Sequence, residues 1–470
     1  MNPAIFREYD IRGVAQRDLE SDVVYAIGKA FATMIQRDGP GGSDRPVIAV
    51  GRDCRLASPR LFEALTRGIV ETGVDFLDIG VVATPVLYFA AAHFATAGAV
   101  IITGSHNPPE DNGFKLLRGT ASLHGQAIQE LRRIIEQADY SSSASPGTST
   151  TRDAIAPYLD HAESTLRLGE RRMRVVVDAG NGAGGPPAVA LYRRLGFDVV
   201  DLYCAMDGRF PNHHPDPTVA ENLADLQQRV HDEDAELGIA LDGDADRIGV
   251  IDSRGNILWG DQLMILFGRA ILAESPGATF IAEVKCSQAL YDELARAGGH
   301  PIMWKVGHSL IKAKMKQENA LLAGEMSGHI FFAHRYLGFD DGIYAGARLL
   351  EILSRGPKTL AELYDTLPVM VNTPELRVPC ADEDKLAVVT RAVASLRRHP
   401  EVTGVIDVDG ARASFGDGWG LIRASNTQPI LVLRCEARNH ERLQQIRAII
   451  EAAIASARRE SMADDDKEPT

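Results

Sequence analysis

Residues 47–77 read VIAVGRDCRLASPRLFEALTRGIVETGVDFL and decide the class of fold. The stretch contains a short apolar strand, a helical segment from Ser58, the glycine Gly73 and a second apolar strand. The same order recurs from residue 174 and again from residue 279. Buried strands that alternate with helices capped by glycine are typical of βαβ units. The sequence therefore predicts three tandem α/β domains of related topology, with mixed, largely parallel sheets.

A polar loop follows the third predicted strand of each unit. Those strands lie at 98–103, 238–241 and 321–323. The loops that follow them are 103–108 (TGSHNP), 242–247 (DGDADR) and 324–329 (GEMSGH). Ligands of open α/β sheets bind beyond the carboxyl ends of the strands. Three equivalent loops are therefore predicted to converge on one central cleft.

The chain after about Pro374 has a different pattern, which predicts a smaller α+β domain. Its last helix is predicted to end near Arg458. The Ser- and Thr-rich run at 140–152 is a linker by composition, and the acidic C terminus is predicted to be disordered. The predicted domains are 1–150, 151–254, 255–370 and 371–458, and the tail is 459–470.

The composition is that of a soluble globular protein, with 45% apolar and 24% charged residues among 470. The net charge of −14 argues against nucleic acid or an anionic membrane as the main partner. Five scattered cysteines without C-x-x-C spacing indicate neither a disulfide framework nor a zinc site. No apolar signal segment follows Met1, and residues 81–102 are interrupted by Pro85, His93 and Gly98. The sequence predicts a cytoplasmic protein.

Three aspartates are crowded into the loop at 242–247, between two apolar predicted strands. Hard oxygen ligands at this spacing suit Mg²⁺ or Ca²⁺, because their like charges otherwise repel one another. The loop is not an EF-hand, since its sixth position is Arg247 and its twelfth is Ser253. A solvated acidic turn is the alternative that the spacing leaves open. We predict a metal site formed by Asp242, Asp244 and Asp246.

The loop at 103–108 contains Ser105 beside His106, among tightly spaced glycine and proline residues. This spacing favours a fixed loop that presents the serine hydroxyl. No G-x-S-x-G elbow surrounds the serine, so a hydrolase triad is not indicated. A serine without any catalytic role is the alternative that the spacing leaves open.

A fourth polar loop, 423–429 (RASNTQP), joins two predicted strands of the C-terminal domain. One guanidinium, two hydroxyls, an amide and several backbone N–H groups can form a phosphate cradle. An ordinary polar hairpin would have the same composition.

Together the four loops resemble, in order and separation, the signature loops of the α-D-phosphohexomutases. The opening segment 6–13 (FREYDIRG) is also similar, so the resemblance covers nearly the whole chain. Residues 324–329 are similar to those of the bacterial phosphomannomutase/phosphoglucomutase branch, whereas phosphoglucosamine-type relatives usually carry Gln at the position of Met326. Many relatives carry Gly at the position of Ala245, and we expect the extra methyl group not to disturb metal binding.

The resemblance implies a role for each matching residue. The implied ligands of Mg²⁺ are Asp242, Asp244, Asp246 and the phosphate oxygen of a phosphorylated Ser105. The implied catalytic residues are Ser105, Lys115, Arg247, His308 and His329. The implied substrate-binding residues are Tyr9, Arg12, Lys285, Gly307, His308, Glu325, Met326, Ser327, Gly328, His329, Arg423, Ser425, Asn426 and Thr427. Among these, Glu325 and Ser327 would bond sugar hydroxyls, and the last four would clamp the phosphate that does not react.

The resemblance also implies an isomerase that interconverts hexose 6-phosphate and hexose 1-phosphate, with mannose or glucose as the sugar. Ser105 would phosphorylate the free hydroxyl, and the resulting 1,6-bisphosphate would turn in the cleft and return its other phosphate to Ser105. The implied cofactors are Mg²⁺ and hexose 1,6-bisphosphate as activator. The implied partner is a small-molecule sugar phosphate, with no nucleic acid and no membrane, and a monomer is favoured.

Three alternatives remain open at this stage. Phosphoglucosamine mutase belongs to the same family. A Mg²⁺-dependent sugar phosphohydrolase could use the three aspartates, but it needs no second phosphate clamp. A non-catalytic sugar- or metal-binding protein has no reason to pair Ser105 with an aspartate triad.

Overall fold

The computed structural model describes residues 1–38, 45–425 and 428–465. These residues form three α/β domains and a smaller C-terminal domain, which confirms the predicted class of fold. None of the helices in these ranges is both long and apolar enough to cross a membrane.

The first domain has a mixed sheet covered by helices on both faces. Its elements are β1 (Ile11–Val14), α1 (Ser21–Asp38), β2 (Val47–Arg52), α2 (Ser58–Glu71), β3 (Asp75–Val81), α3 (Thr84–His93), β4 (Gly98–Ile102), β5 (Asp111–Arg118), β6 (Ala121–Ser122), α4 (Gln126–Glu136) and β7 (Ser149–Thr151). The strand order is β1-β5-β4-β2-β3-β7, with β6 beside β5. In β2, Ile48 and Val50 pack with α1 and α2, whereas Ala49 packs with α3. The strand is a continuous apolar run because both of its faces are covered.

The second domain repeats this arrangement with a five-stranded sheet. Its elements are α5 (Ile155–Ser164), β8 (Arg174–Asp178), α6 (Gly185–Arg194), β9 (Asp198–Leu202), a 3₁₀ turn (Ala220–Leu223), α7 (Ala224–Asp232), β10 (Leu237–Leu241), β11 (Ile248–Asp252) and β12 (Ile257–Leu258). The strand order is β12-β11-β10-β8-β9.

The third domain repeats it again with four strands. Its elements are α8 (Gly260–Glu274), β13 (Thr279–Glu283), α9 (Gln288–Arg296), β14 (His300–Trp304), α10 (His308–Glu318), β15 (Leu322–Gly324), β16 (Ile330–Phe332), α11 (Gly342–Arg355) and α12 (Leu360–Tyr364). The strand order is β14-β13-β15-β16.

One four-strand order is common to the three sheets: β3-β2-β4-β5, β9-β8-β10-β11 and β14-β13-β15-β16. In each sheet the first three strands are parallel and the fourth is antiparallel to the third. The third and fourth strands thus form a hairpin, and its turn contains the polar loop of that domain. The internal repeat read from the sequence therefore places three loops at equivalent positions.

The fourth domain is an antiparallel sheet packed against two helices. Its elements are β17 (Val371–Asn372), β18 (Leu376–Pro379), α13 (Lys385–Arg398), β19 (Gly404–Ile406), β20 (Ala411–Ser414), β21 (Gly418–Ala424), β22 (Ile430–Ala437) and α14 (His440–Asp465). The strand order is β17-β22-β21-β20-β19, with β18 also beside β22. The polar loop at 423–429 connects the central strands β21 and β22.

The structure corrects two local predictions. The end of the predicted linker at 140–152 is the strand β7, which pairs with β3 because that edge strand offers free backbone groups. Helix α14 continues past Arg458 to Asp465, since extending an existing helix costs little. The first residues of the predicted tail are therefore helical, and residues 466–470 lie outside the described residues.

Candidate active site

Ser105 lies in the turn between β4 and β5 and is almost fully buried. Its φ of +49° is a left-handed conformation that residues other than glycine seldom adopt. Its hydroxyl donates a hydrogen bond of 2.7 Å to Oδ2 of Asp242, in the equivalent turn of the second domain. The hydroxyl also lies 3.1 Å from Nδ1 of His106. The first two loops therefore meet at the serine.

The three aspartates of the second loop form a compact group of buried carboxylates. Each offers an oxygen within 4.8 Å of the other two, and all three are inaccessible to solvent. Oδ1 of Asp244 accepts no hydrogen bond from the residues that the structure describes. Burial and the charges of Asp244 and Asp246 hold the pKa of Asp242 well above its usual value. An unsatisfied buried oxygen within a set of hard donors fits a divalent cation such as Mg²⁺.

Lys115, from β5, reaches the same group from the first domain. Its ammonium lies 2.8 Å from Oδ2 of Asp244 and also contacts Asp246. Burial lowers the pKa of Lys115, but the two carboxylates outweigh burial, so its pKa lies above the usual value. Thr84, the first residue of α3, donates its hydroxyl to Asp244 at 2.6 Å. The first domain therefore supplies both a charge and a hydroxyl to the aspartate loop.

Ala245 adopts a left-handed conformation with φ of +60° and is fully buried. Its methyl group is accommodated by Gly184, where an added Cβ would lie 2.4 Å from the Cβ of Ala245. Its carbonyl accepts a hydrogen bond from the backbone of Gly342. The methyl group therefore points into space left by a glycine, away from the carboxylates.

The third loop joins the first two through His329. Its Nδ1 lies 2.8 Å from Oε2 of Glu325, and its Nε2 lies 3.2 Å from Oδ1 of Asp246. Burial lowers the pKa of His329, but Asp246 and Glu325 outweigh burial and raise the pKa to about 9. Arg247 also forms a backbone bridge with His329. The three polar loops thus converge on one point.

Gly307 and His308, at the start of α10, lie beside the third loop. The backbone N–H of Gly307 donates to Oε1 of Glu325 at 2.8 Å. An added Cβ at Gly307, whose φ is +128°, would lie 2.4 Å from the ring of Tyr9, so only glycine allows this approach. The ring of His308 stacks on that of His329, with centroids 5.7 Å apart. Burial and the charge of Lys312 hold the pKa of His308 well below its usual value.

Tyr9 and Arg12 bring the N-terminal segment to the cleft. The hydroxyl of Tyr9 donates to the carbonyl of Val306 at 2.8 Å. The guanidinium of Arg12 pairs with Asp10 at 2.7 Å and donates to the side chain of Asn107 at 2.5 Å. Arg12 therefore lies against the serine loop.

Of the remaining residues of the third domain, Lys285 lies at the border with the fourth domain and Gly328 at the border with the second. Lys285 lies 3.4 Å from Glu375 and 4.0 Å from Glu283. The backbone of Met326 donates to Glu283 at 3.2 Å. Gly328 has a φ of +90°, and an added Cβ would lie 2.2 Å from the carbonyl of Ile248.

The fourth loop contributes Arg423 and Ser425, both buried. Nε of Arg423 donates to Oδ2 of Asp409 at 3.1 Å, while its Nη2 makes no hydrogen bond within the described structure. The hydroxyl of Ser425 accepts a hydrogen bond from the backbone of Gln428. Asn426 and Thr427, which the sequence analysis assigns to the same clamp, lie outside the described residues.

One cleft of about 840 Å³ connects these residues. The site residues predicted from the sequence that line this cleft are Tyr9, Arg247, Lys285, Gly307, His308, Glu325, Met326, Ser327, His329, Arg423 and Ser425. Ser105, Lys115 and the three aspartates are buried beneath its wall, next to His106, which does line it.

Among the residues at this site that the sequence did not predict are Arg55, Thr84, Asp340 and Asp409. Asp340 is fully buried and accepts a hydrogen bond of 2.9 Å from the ammonium of Lys312. One of its carboxylate oxygens lies within 4.8 Å of a carboxylate oxygen of Asp246 and a ring nitrogen of His329. Each of the four lies outside the polar loops and contributes one side chain to a distant segment. These residues act through tertiary contacts, so no local sequence pattern identifies them.

Comparison with protein families confirms the resemblance along the whole chain. Models of the phosphoglucomutase/phosphomannomutase α/β/α domains I, II and III match residues 3–142, 156–255 and 259–370. The model of the phosphoglucomutase/phosphomannomutase C-terminal domain matches residues 375–453.

Individual proteins are similar over nearly their full length. A phosphoglucomutase of Neisseria gonorrhoeae is 45% identical over 452 residues, covering 96% of this chain and 97% of that protein. A phosphomannomutase/phosphoglucomutase of Pseudomonas aeruginosa is 44% identical over 448 residues, covering 95% and 94%. The crystal structure of a phosphoglucomutase/phosphomannomutase family protein from Burkholderia thailandensis is 41% identical and superposes with a TM-score of 0.90, covering 97% of this chain and 98% of that one.

The class of protein follows from fold and site together, because three repeated hairpin loops and a C-terminal domain around one cleft are the arrangement of the α-D-phosphohexomutases. Within that class, the chain belongs to the phosphoglucomutase/phosphomannomutase family, in its bacterial branch.

Proposed function

We propose that the chain interconverts hexose 6-phosphates and hexose 1-phosphates of mannose and glucose, through a phosphorylated Ser105 and a 1,6-bisphosphate. The observation that carries the proposal is the 2.7 Å hydrogen bond from the hydroxyl of Ser105 to Asp242. This pair lies beneath a cleft whose lining includes Arg423, the candidate residue for a second phosphate. A reactive hydroxyl at a metal site and a separate phosphate clamp are both required by a mutase. The names of the relatives at 44–45% identity support the same activity.

The metal site is assigned to Asp242, Asp244 and Asp246, together with a phosphate oxygen on Ser105. Their buried hard oxygens and the unsatisfied Oδ1 of Asp244 support Mg²⁺ as the cation. A bound Mg²⁺ supplies positive charge that offsets the phosphate and carboxylates and stabilises the phosphoryl group in transfer.

Phosphoryl transfer in this mechanism depends mainly on position and charge. The bond between phosphorus and Oγ of Ser105 breaks as the bond to the free sugar hydroxyl forms, and that hydroxyl loses its proton. Lys115 and Arg247 are assigned to the oxygens of the transferring group. The ammonium of Lys115 pairs with Asp244, and Nε of Arg247 lies 3.3 Å from Nε2 of His329, which itself contacts Asp246. We assign the proton to the neutral form of His329, which is the minor form near pH 7 because its pKa is about 9. Its Nε2 lies 3.2 Å from Asp246 of the triad, and its Nδ1 lies 2.8 Å from Glu325.

The two orientations of the sugar share one set of contacts. Glu325 and Ser327 are assigned to sugar hydroxyls, and Lys285, Arg423 and Ser425 to the phosphate that does not react. The 1,6-bisphosphate turns end for end and returns its other phosphate to Ser105. Free hexose 1,6-bisphosphate would act as activator, because it restores the phosphate on Ser105 when the intermediate has escaped.

The test is a coupled assay that compares mannose 1-phosphate, glucose 1-phosphate and glucosamine 1-phosphate, with Mg²⁺ and glucose 1,6-bisphosphate present. We expect turnover of the mannose and glucose substrates, with glucosamine 1-phosphate at least about tenfold slower. A preference for glucosamine 1-phosphate would instead indicate a phosphoglucosamine mutase. Release of inorganic phosphate without an isomerised sugar would indicate a phosphohydrolase.

Ser105→Ala should lower turnover by about 10³-fold or more, because it removes the group that carries the phosphate. Binding of glucose 6-phosphate, measured by calorimetry, should persist because the contacts at Arg423 are unchanged. Ser143→Ala, at an exposed serine of the same domain, is the control and should behave as wild type. Activity of Ser105→Ala within tenfold of wild type would place the transferred group on another residue.

A further inference from the structure

Arg55, in the segment that follows β2, is one of the largest fully buried side chains of the protein. Its guanidinium donates to four backbone carbonyl groups of a single loop. Nη2 donates to Ser105 and Asn107 at 2.7 and 2.6 Å, and Nη1 donates to Pro108 and Asp111 at 2.5 and 3.0 Å. A planar guanidinium is suited to this task, because its donors project in fixed directions.

The loop gathered by Arg55 is the one that carries the reactive serine. Ser105 holds a left-handed φ of +49°, which is unfavourable for a non-glycine residue and persists only where the surroundings impose it. An added Cβ at Gly104 would lie 2.5 Å from the guanidinium, so Arg55 also requires glycine before the serine. On its other side, the carbonyl of Ser105 would lie 2.4 Å from a Cβ at Gly243. The serine carbonyl is therefore held between Arg55 and the aspartate loop.

Arg55 is itself held from two domains. Asp53 pairs with its Nε at 3.3 Å and accepts the backbone N–H of Gly104 at 3.2 Å. The ring of Phe210, from the second domain, lies 4.9 Å from the guanidinium carbon. Neither partner faces solvent, so the arginine has little freedom to move.

We propose that Arg55 is a positioning residue for the transferred phosphoryl group: it fixes the backbone of Ser105 so that Oγ points at Asp242 and the triad throughout the catalytic cycle. The inference rests on the proposed function, in which Ser105 gains and loses a phosphate. Each transfer changes the charge on Ser105, while four bonds to carbonyl groups do not depend on that charge. Arg55 thus keeps the loop in place in both states.

A positioning role predicts a different change in kcat and KM from a role that only stabilises the folded protein. Arg55 is not among the described residues that line the cleft, so KM should change little when it is replaced. Turnover should fall, because a displacement of about 1 Å at a reacting group can cost 10²-fold. Lysine is a poor substitute, since one ammonium cannot reach four carbonyl groups in the geometry of a guanidinium.

The test compares Arg55→Met and Arg55→Lys with Arg348→Met, a buried arginine outside the cleft that donates to the carbonyl of His334. For each variant, we would measure the unfolding midpoint, kcat and KM, and amide hydrogen exchange at residues 104–107. We expect Arg55→Met to lower kcat about 100-fold and Arg55→Lys about tenfold, each with KM within threefold of wild type. Exchange at 104–107 should rise only in the two Arg55 variants, and Arg348→Met should lose stability with kcat nearly unchanged.

The proposal is overturned if folded Arg55 variants keep wild-type kcat, or if KM rises as much as kcat falls. If Arg55→Met does not fold, Arg55→Lys decides, and full activity in that variant refutes a role for the guanidinium geometry. If wild type itself shows no mutase activity, the proposed function fails. In that case, faster exchange confined to Arg55 variants would still show that Arg55 fixes the loop, and unchanged exchange would refute it.

Discussion

At the scale of single residues, the main feature of the site is a group of buried negative charges. Asp242, Asp244 and Asp246 are buried together, and burial alone would favour their neutral forms. Lys115 and His329 offset part of the charge from two other domains, and an oxygen of Asp244 stays unsatisfied. A chain of net charge −14 therefore places cations beside this group of buried carboxylates.

Asp244→Asn should weaken Mg²⁺ binding about tenfold or more, because it removes a charged ligand with little change of shape. Calorimetry with Mg²⁺ measures this directly. Asp340→Asn is the matched control, since Asp340 belongs to a second buried group with Asp246 and His329. If Asp340→Asn weakens Mg²⁺ binding as much as Asp244→Asn does, the ion binds at that second group instead.

His334 gives the fold a dependence on pH that is separate from the active site. Burial, together with the charges of Arg348 and Arg335, lowers its pKa to about 4 in the folded protein, against 6.5 in an unfolded chain. The unfolded state therefore binds the proton first, and stability is lost as pH falls from about 6.5 to about 4.

His334→Gln should remove part of this loss, about 1–2 kcal/mol after allowance for solvent screening, because glutamine can still accept from Arg348 without binding a proton. Urea unfolding at pH 7 and pH 4.5 measures the difference. His231→Gln, at an exposed histidine of α7, should show the same loss as wild type. An equal loss in wild type and His334→Gln would assign the acid sensitivity to other groups.

At the scale of elements, the same hairpin is used three times. Its turn carries the serine in the first domain, the aspartates in the second and residues 324–329 in the third. A turn at the carboxyl end of a central strand lies at the edge where the domains meet, so changes in the turn alter chemistry without altering the sheet. The fourth loop joins β21 and β22 of an antiparallel sheet and presents Arg423 from its side of the cleft.

Arg423→Ala should let more of the 1,6-bisphosphate escape and make activity more dependent on added activator. A charge-assisted hydrogen bond is worth about 1.5–3 kcal/mol, enough to raise release about tenfold or more. Chromatography of the reaction mixture would quantify free bisphosphate. Arg442→Ala, in the same domain but bonded to Asp417 and Glu401, should release no more than wild type. Unchanged release from Arg423→Ala would remove this residue from the phosphate clamp.

At the scale of the whole molecule, the fourth domain packs against the third across the cleft. Arg412 is buried at this contact and donates to the carbonyls of Val284 and Cys286 at 2.6 and 2.8 Å. Its guanidinium carbon lies 3.8 Å from the ring centre of Trp419, which packs with Val284. The fourth domain is therefore held against the third by residues that do not line the cleft.

Arg412→Met should weaken this contact, because two charge-assisted bonds between the domains are lost. We expect KM for hexose phosphates to rise several-fold and small-angle scattering to show a larger radius of gyration. Arg442→Ala, which leaves the contact between the domains intact, should match wild type in both measurements. Unchanged scattering and KM in Arg412→Met would show that other contacts hold the fourth domain in place.

The sequence by itself determined the repeated α/β domains, the order of the four loops and the convergence of the first three. These features could be predicted because strand and helix periods are local, and because the repeat places each loop at the same end of its sheet. The domain boundaries and the roles of the site residues stay predictions.

Only the tertiary structure decided which side chains complete the site. Arg55, Thr84 and Asp409 each bond a segment far away in the chain, which for Asp409 is the backbone of Val306. Strand β7 forms only because β3 offers it an edge. A hydrogen bond between distant segments produces no periodic pattern in the sequence from which it could be predicted. Its energy depends on burial and geometry that exist only once the domains have come together.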